Sequence, residues 1–254
     1  MPISCRVTRG DLTESIHVAF AVVVDGNGEI LFSTGDPHYL TCIRSSLKPF
    51  QAAASVRSGA IDSAGFNDKE LALMCASHKG ENMHVETAMS MLGKLGFHVD
   101  DYECGSHFPS DRITRYGMIS DKKVAKPLHN NCSGKHAGML ALAKHLGAET
   151  KGYVHKDHPV QKTIMEYVSV LTALEDIPTE IDGCSAPTPF MTLKTIAEMF
   201  QKLVSGNNSE LDRVFNAMTL HPEMVGGTNH FDSMFISALN SRGVTKVGGE
   251  SVRG

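Results

Sequence analysis

No apolar run in this chain approaches the roughly 20 residues that a membrane-spanning helix needs, so a transmembrane protein is excluded as a reading. The N-terminus carries Arg6 and Arg9 but lacks the apolar block of a signal peptide behind them. An excess of positive charge is also missing. The formal net charge is −4, which offers no basic field for nucleic acid. Cys5, Cys42, Cys75, Cys104, Cys132 and Cys184 never form a Cys-x-x-Cys pair, and a chain this long with so few cysteines is not a disulfide scaffold. Tryptophan is absent too, which excludes nothing. There is no internal repeat and no low-complexity tract. A cytoplasmic protein with free thiols, binding neither nucleic acid nor membrane, is the simplest expectation.

What remains is ordinary globular material: 254 residues, 41% hydrophobic and 20% charged, enough for one large core or two small ones. Ile16 to Val24 is rich in apolar and β-branched residues, and Asp25-Gly26-Asn27-Gly28 is strong turn chemistry. With Glu29 to Ser33 returning, the pattern predicts one hairpin. Helical periodicity follows from Lys48 towards Gly59, and again after the capping pattern Asn67-Asp68-Lys69-Glu70. Further helices are expected from Asn82 to Gly96, from Gly134 to Leu146, from Pro159 to about Leu174, near Thr192–Leu203 and Asn208–Leu220, and from Asp232. Phe97 to Pro127 reads as a polar loop of lid type. Two strands do not make a stable sheet, so the pattern implies hidden strands or a sheet finished by something outside this sequence.

Four polar clusters fall at element boundaries, where sites are built. In Arg44-Ser45-Ser46-Leu47-Lys48-Pro49, a serine precedes a lysine by three residues, one helical face apart, with Pro49 suited to a first turn. A hydroxyl at a helix start sees the positive end of the dipole, and a desolvated neutral lysine can take its proton. Ser77-His78-Lys79-Gly80-Glu81 offers a second hydroxyl between two helices. Its plainer reading is a turn capped by Ser77. In Asn131-Cys132-Ser133-Gly134-Lys135-His136, Cys132 and Lys135 are again three apart at a helix start, where a thiol beside a cation is acidified. Asp182-Gly183-Cys184 is a short polar turn. Should Cys184 meet Cys132 in space, two thiolates with Lys135 or a water would approximate tetrahedral zinc, although lysine is a rare ligand.

Together with His221-Pro222-Glu223-Met224-Val225-Gly226-Gly227, these motifs resemble, in order and spacing, the Rhizobium-type L-asparaginase II family. The resemblance covers almost the whole chain. It implies an α+β fold similar to serine β-lactamases, penicillin-binding proteins and glutaminases, with a helical cluster packed on a mainly antiparallel, incomplete sheet. It implies a single catalytic domain over residues 1–254, hydrolysing L-asparagine to L-aspartate and ammonia with two Ser/Lys pairs.

Carried over by position, Ser45 and Lys48 match the first pair. Ser77 matches the second serine, and its lysine partner would be Lys246. That residue stands in Thr245-Lys246-Val247-Gly248-Gly249-Glu250, which departs from the family's Lys-x-Gly-Ala-Glu by having Gly249 for alanine. Cys132, Lys135 and Cys184 match zinc ligands, making zinc the implied cofactor. Arg44, Asn131, His136, Asp182 and Glu250 are candidates for substrate binding or for orienting those ligands. Ser45 is slightly preferred over Ser77 as nucleophile for its helix-start position. Family members continue well past this last segment, so the expected domain lacks the strands and helix that follow. An open sheet edge of that kind invites a homodimer. Two alternatives carry different chemistry: a penicillin-recognising serine hydrolase, and a truncated inactive relative binding zinc or an amino acid.

Overall fold

In the computed structural model, which describes residues 1–254, the β-branched N-terminal segment folds as two hairpins rather than one. β1 (Ile3–Arg9) pairs antiparallel with β2 (Leu12–Ala19), and every residue of β1 is exposed. The chain leaves that ladder at Phe20, and β3 (Ala21–Val24) pairs antiparallel with β4 (Ile30–Thr34). The Asp25 turn behaves as its residues demand: the carboxylate accepts the N–H groups of Asn27 and Glu29 at 2.8 and 2.9 Å. β1 escapes sequence reading because Ile3 to Arg9 is solvated throughout and has no buried face to write a pattern.

β5 (Leu40–Cys42) leads into a single 3-10 turn over Arg44–Leu47, then α1 (Lys48–Arg57). α2 (Ala60–Ser63) and α3 (Asp68–Met74) follow, the latter opened by the expected capping box between Asn67 and Glu70. α4 (Asn82–Leu95) ends at left-handed Gly96. The region read as loop contains α5 (Arg112–Ser120), an amphipathic helix with only Met118 buried. Then come α6 (Ser133–His145), α7 (Pro159–Thr172), β6 (Thr179–Ile181) and β7 (Pro187–Thr192). α8 (Leu193–Leu203), α9 (Ser209–Leu220), α10 (Pro222–Val225) and α11 (Phe231–Leu239) complete the helices.

The architecture is α+β. Seven strands form three separate sheets, all antiparallel, with β7 between β5 and β6 in the third. The two-strand expectation missed the short strands β5, β6 and β7, which are three, three and six residues long, too brief for period-two patterning to register. No helix is long and apolar enough to cross a membrane.

α6 is the hub. It is buried without interruption from Ser133 to Ala143, which fits a sequence that is small or apolar on every face. It touches α1, α2, α3, α4 and α7. Two glycines set its distance to α3. A Cβ on Gly134 would lie 2.2 Å from the Leu73 carbonyl oxygen, and one on Gly138 would lie 2.3 Å from Met74 Cε. Glycine at both places lets the start of α6 press against the end of α3. The Cys132–His136 motif thereby comes beside Ser77.

Candidate active site

The ends of α3, α6 and the strand turns open onto one cleft of about 430 Å³, lined by Arg44, Ser45, Ser77, Cys132, Asp182 and Cys184 among others. A larger groove of about 720 Å³ runs between β3 and α8, but it is lined mainly by residues such as Val22, Ile196 and Phe200 and reaches none of the motif residues. The residues singled out by the motifs gather at the smaller cleft.

Ser77 is held from behind. Its N–H donates to Val225 O and that of Lys79 to Gly226 O, each at 3.0 Å, so the His221–Gly227 segment serves as a backbone support. Glu81 reinforces the junction by accepting both the N–H and the hydroxyl of Thr228 at 2.7 Å. Gly227 has φ +118°, and a Cβ there would lie 2.4 Å from Glu81 Oε1, so the position requires glycine. His78 Nδ1 accepts the Gly80 N–H at 3.1 Å, which leaves Nε2–H to donate to Ser133 Oγ at 2.9 Å. Burial first, then the neighbouring His84, Lys48 and further histidines, keep His78 well below its ordinary pKa. That ring is a neutral strut between α3 and α6.

Two amines meet at the Ser77 hydroxyl. Lys48 Nζ donates to Ala76 O at 2.5 Å, to Ser77 Oγ at 3.2 Å and to Asn131 O at 3.3 Å. These three acceptors account for the three donors of an ammonium. Lys246 Nζ lies 2.7 Å from Ser77 Oγ and donates to Val247 O at 2.6 Å. Both lysines are enclosed, at 1% and 0% exposure. Burial, helped by the charge of Lys48 and opposed by Asp232, Cys132 and Cys75, lowers the Lys246 pKa to about 7.

Ser45 lines the same cleft, but its hydroxyl receives nothing from the Lys48 amine; only its carbonyl accepts the Lys48 backbone N–H. Its residue lies in the 3-10 turn, and Lys48, opening α1, reaches past it to Ser77. Arg44 enters that turn at φ +51°, a left-handed value that reorients the start. Ser46, not singled out by spacing, is buried and donates to Lys246 O at 2.8 Å.

At the other end of the cleft, the Arg44 guanidinium bonds Asp182 Oδ1 through Nε at 2.9 Å and Nη2 at 2.8 Å. Cys132, Lys135 and Cys184 do converge. Lys135 Nζ is 2.9 Å from Cys184 Sγ, and all three residues are buried. The neighbouring Cys184 thiol, against burial and with Lys48 and Lys135 nearby, holds Cys132 well below the usual thiol range, while the same neighbour effect and burial raise Cys184; Cys132 Sγ also lies 3.1 Å from Asn131 Oδ1. Against burial, which lowers it, the two sulfurs raise Lys135 above the ordinary lysine value. His136 Nδ1 is 2.8 Å from the Tyr153 hydroxyl, while its buried Nε2 has no partner in the chain. Burial pushes its pKa down to about 4. No group of three or more His, Cys, Asp and Glu side chains is placed to hold a metal, so an ion at this point would depend on Lys135 as its third donor.

Asn131 contributes its carbonyl to Lys48 and its N–H to His107 Nε2 at 3.1 Å. Glu250 is exposed, forms no ion pair and does not line the cleft. Gly249 does line it, and a Cβ there would lie 2.7 Å from the Arg44 Cζ. His107, His230 and Asp232 were not legible as site residues. Each is a lone polar residue in a turn or cap, with no motif spacing to betray it.

The family model described as L-asparaginase II matches residues 5–254. The chain belongs to the L-asparaginase II family. No curated protein matches it beyond that. Membership in this family makes the chain a hydrolase acting on the amide bond of asparagine.

Proposed function

We propose that the protein is an L-asparagine amidohydrolase in which Ser77 is the nucleophile and Lys246 its base. The observation that carries this reading is the placement of two buried amines on one hydroxyl. An amine with a pKa of about 7 has a lone pair near neutrality, so the Ser77 O–H donates to Lys246 while Lys48 donates to the Ser77 oxygen. Lys246 takes the proton as Ser77 Oγ attacks the side-chain amide carbon, and Lys48 stabilises the developing charge. The C–N bond then breaks, and the Lys246 ammonium supplies the proton with which ammonia leaves. Water, deprotonated by the same amine, cleaves the aspartyl ester and restores Ser77.

The Ser45 hydroxyl has no hydrogen-bond partner in the chain and serves as a hydroxyl for the bound amino acid. The Arg44 guanidinium, oriented by Asp182, supplies charge for a substrate carboxylate. Donors Cys132, Lys135 and Cys184 fit zinc by type, since two sulfurs, of which Cys132 is acidified, and an amine meet at one point. A bound ion would be held by these three and would supply a positive, Lewis-acidic centre near the substrate. The β-lactamase-like form of the α+β fold belongs to the same proposal, supported by a central helical cluster accompanied by small antiparallel sheets.

The test is ammonia release from L-asparagine by the wild-type chain and by Ser77→Ala. Turnover that disappears in the variant supports the reading; turnover that survives it refutes Ser77 as nucleophile.

A further inference from the structure

Asp232 is a carboxylate with 0% exposure, at the first turn of α11. A buried carboxylate is expensive unless each oxygen is satisfied. Here Oδ2 accepts the Val247 N–H at 3.0 Å, and Oδ1 is paired with Arg253 Nη1. Arg253 also donates to Thr245 Oγ1 at 3.2 Å and lies over the Phe231 ring, 4.4 Å from its centroid. Asp232 therefore grips both sides of Lys246: the next peptide directly, and Thr245 through Arg253.

Lys246 belongs to no helix or strand, and its neighbour Val247 makes only one isolated bridge, to Arg253. Its own carbonyl is tied by Ser46 Oγ. The Lys246 N–H and C=O are also paired with Gly254 at 3.0 and 3.2 Å, and the Asp232 bond to the Val247 N–H holds the opposite edge of the segment, so the direction in which the Lys246 side chain leaves the backbone is fixed from both sides. A displacement of about 1 Å in a catalytic group can cost about 10²-fold in rate.

We propose that Asp232 is a positioning residue for the reaction, holding the Lys246 amine on Ser77 through Val247 and supplying the negative charge that faces it. This rests on the function proposed above. The charged and titratable groups around Lys246 are Lys48 from α1, Cys75 from the end of α3, Cys132 before α6, and Asp232 from α11, with His230 and Arg253 beside them. Of these only Asp232 is a carboxylate, and it opposes the repulsion from Lys48. Too low a basicity would leave Lys246 unable to hold the serine proton.

Asp232→Asn keeps an oxygen for the Val247 N–H and removes the charge. The expected result is a fall in kcat of about tenfold or more with KM within about threefold. The acid limb of the kcat–pH profile moves to lower pH by at least about half a unit, because the amine loses its only carboxylate neighbour. Carbon-13 NMR of labelled lysines, with Lys246 assigned through Lys246→Arg, reads the same displacement without turnover. Arg253→Gln, which leaves the Asp232 charge unopposed, moves the Lys246 midpoint upward and serves if Asp232→Asn does not fold. Lys246 midpoints that stay put in the folded variants overturn the proposal, as does a variant that loses only melting temperature. A wild-type chain that releases no ammonia refutes the proposed function instead, while the NMR titration still decides the role of Asp232.

Discussion

Ser45 and Ser77 line one cleft, yet their surroundings differ. Ser45 has the attractive local sequence: a helix start, a lysine three residues on, and a proline in the first turn. Ser77 sits in a turn with an unremarkable signature, but receives amines from two distant points in the chain, Lys48 and Lys246. Their separations from Ser77 are 29 and 169 residues. A nucleophile is made by its base, and in the proposed assignment the base arrives by tertiary packing rather than by spacing. The lysine that spacing assigned to Ser45 is spent on Ser77.

The largest effect expected from this contrast is between the two alanine variants. Ser77→Ala should lose about 10³-fold or more in kcat/KM for asparagine, whereas Ser45→Ala should lose about tenfold or less, mainly in KM. Equal losses would erase the distinction. Next, Lys246→Met should cost about 10²–10⁴ in kcat, in the range of a removed general base. The same residue predicts pH dependence. Turnover should rise as pH passes through about 7, where Lys246 gives up its proton.

Stability carries the same signature with a definite sign. The unfolded chain keeps Lys246 protonated up to its ordinary pKa of 10.5, and the folded chain releases that proton near 7. Between these values the unfolded state holds more protons, so folding stability from this group rises with pH. Urea titrations of wild type and Lys246→Met should show the variant's advantage at pH 7 shrinking towards pH 10; a constant difference would mean that the amine is not desolvated.

Sequence reading went furthest where short-range chemistry decides structure. Asn67 and Glu70 announced the start of α3, Gly96 the end of α4, and Asp25-Gly26-Asn27-Gly28 the β3–β4 turn. The convergence of Cys132, Lys135 and Cys184 was reached through the family resemblance, and the three do meet. What escaped was long-range. The tie from Ser46 to Lys246 spans 200 positions, and the Val247–Asp232 bond joins the first turn of a helix to an irregular segment. Neither leaves a periodic trace. α5 escaped for another reason: it buries only Met118, so Phe97 to Pro127 showed too little hydrophobic pattern to separate helix from loop.

Smaller effects probe the other end of the cleft and the packing beneath both. Purified protein should contain about one zinc per chain, lost in Cys132→Ser and Cys184→Ser; unchanged metal content in both would remove the ion from the account. Gly134→Ala forces a methyl against the Leu73 carbonyl, which should destabilise by about 1–3 kcal/mol in urea titration. Because that contact sets α6 against the end of α3, it should also impair Ser77 more than substrate binding.

The central claim is that Ser77 forms the covalent intermediate. An asparagine-like diazoketone, which alkylates an activated hydroxyl, followed by peptide mass spectrometry, identifies the nucleophile directly. The account predicts the adduct on the peptide containing Ser77, with labelling lost in Lys246→Met. An adduct on Ser45 that is indifferent to Lys246 would contradict it.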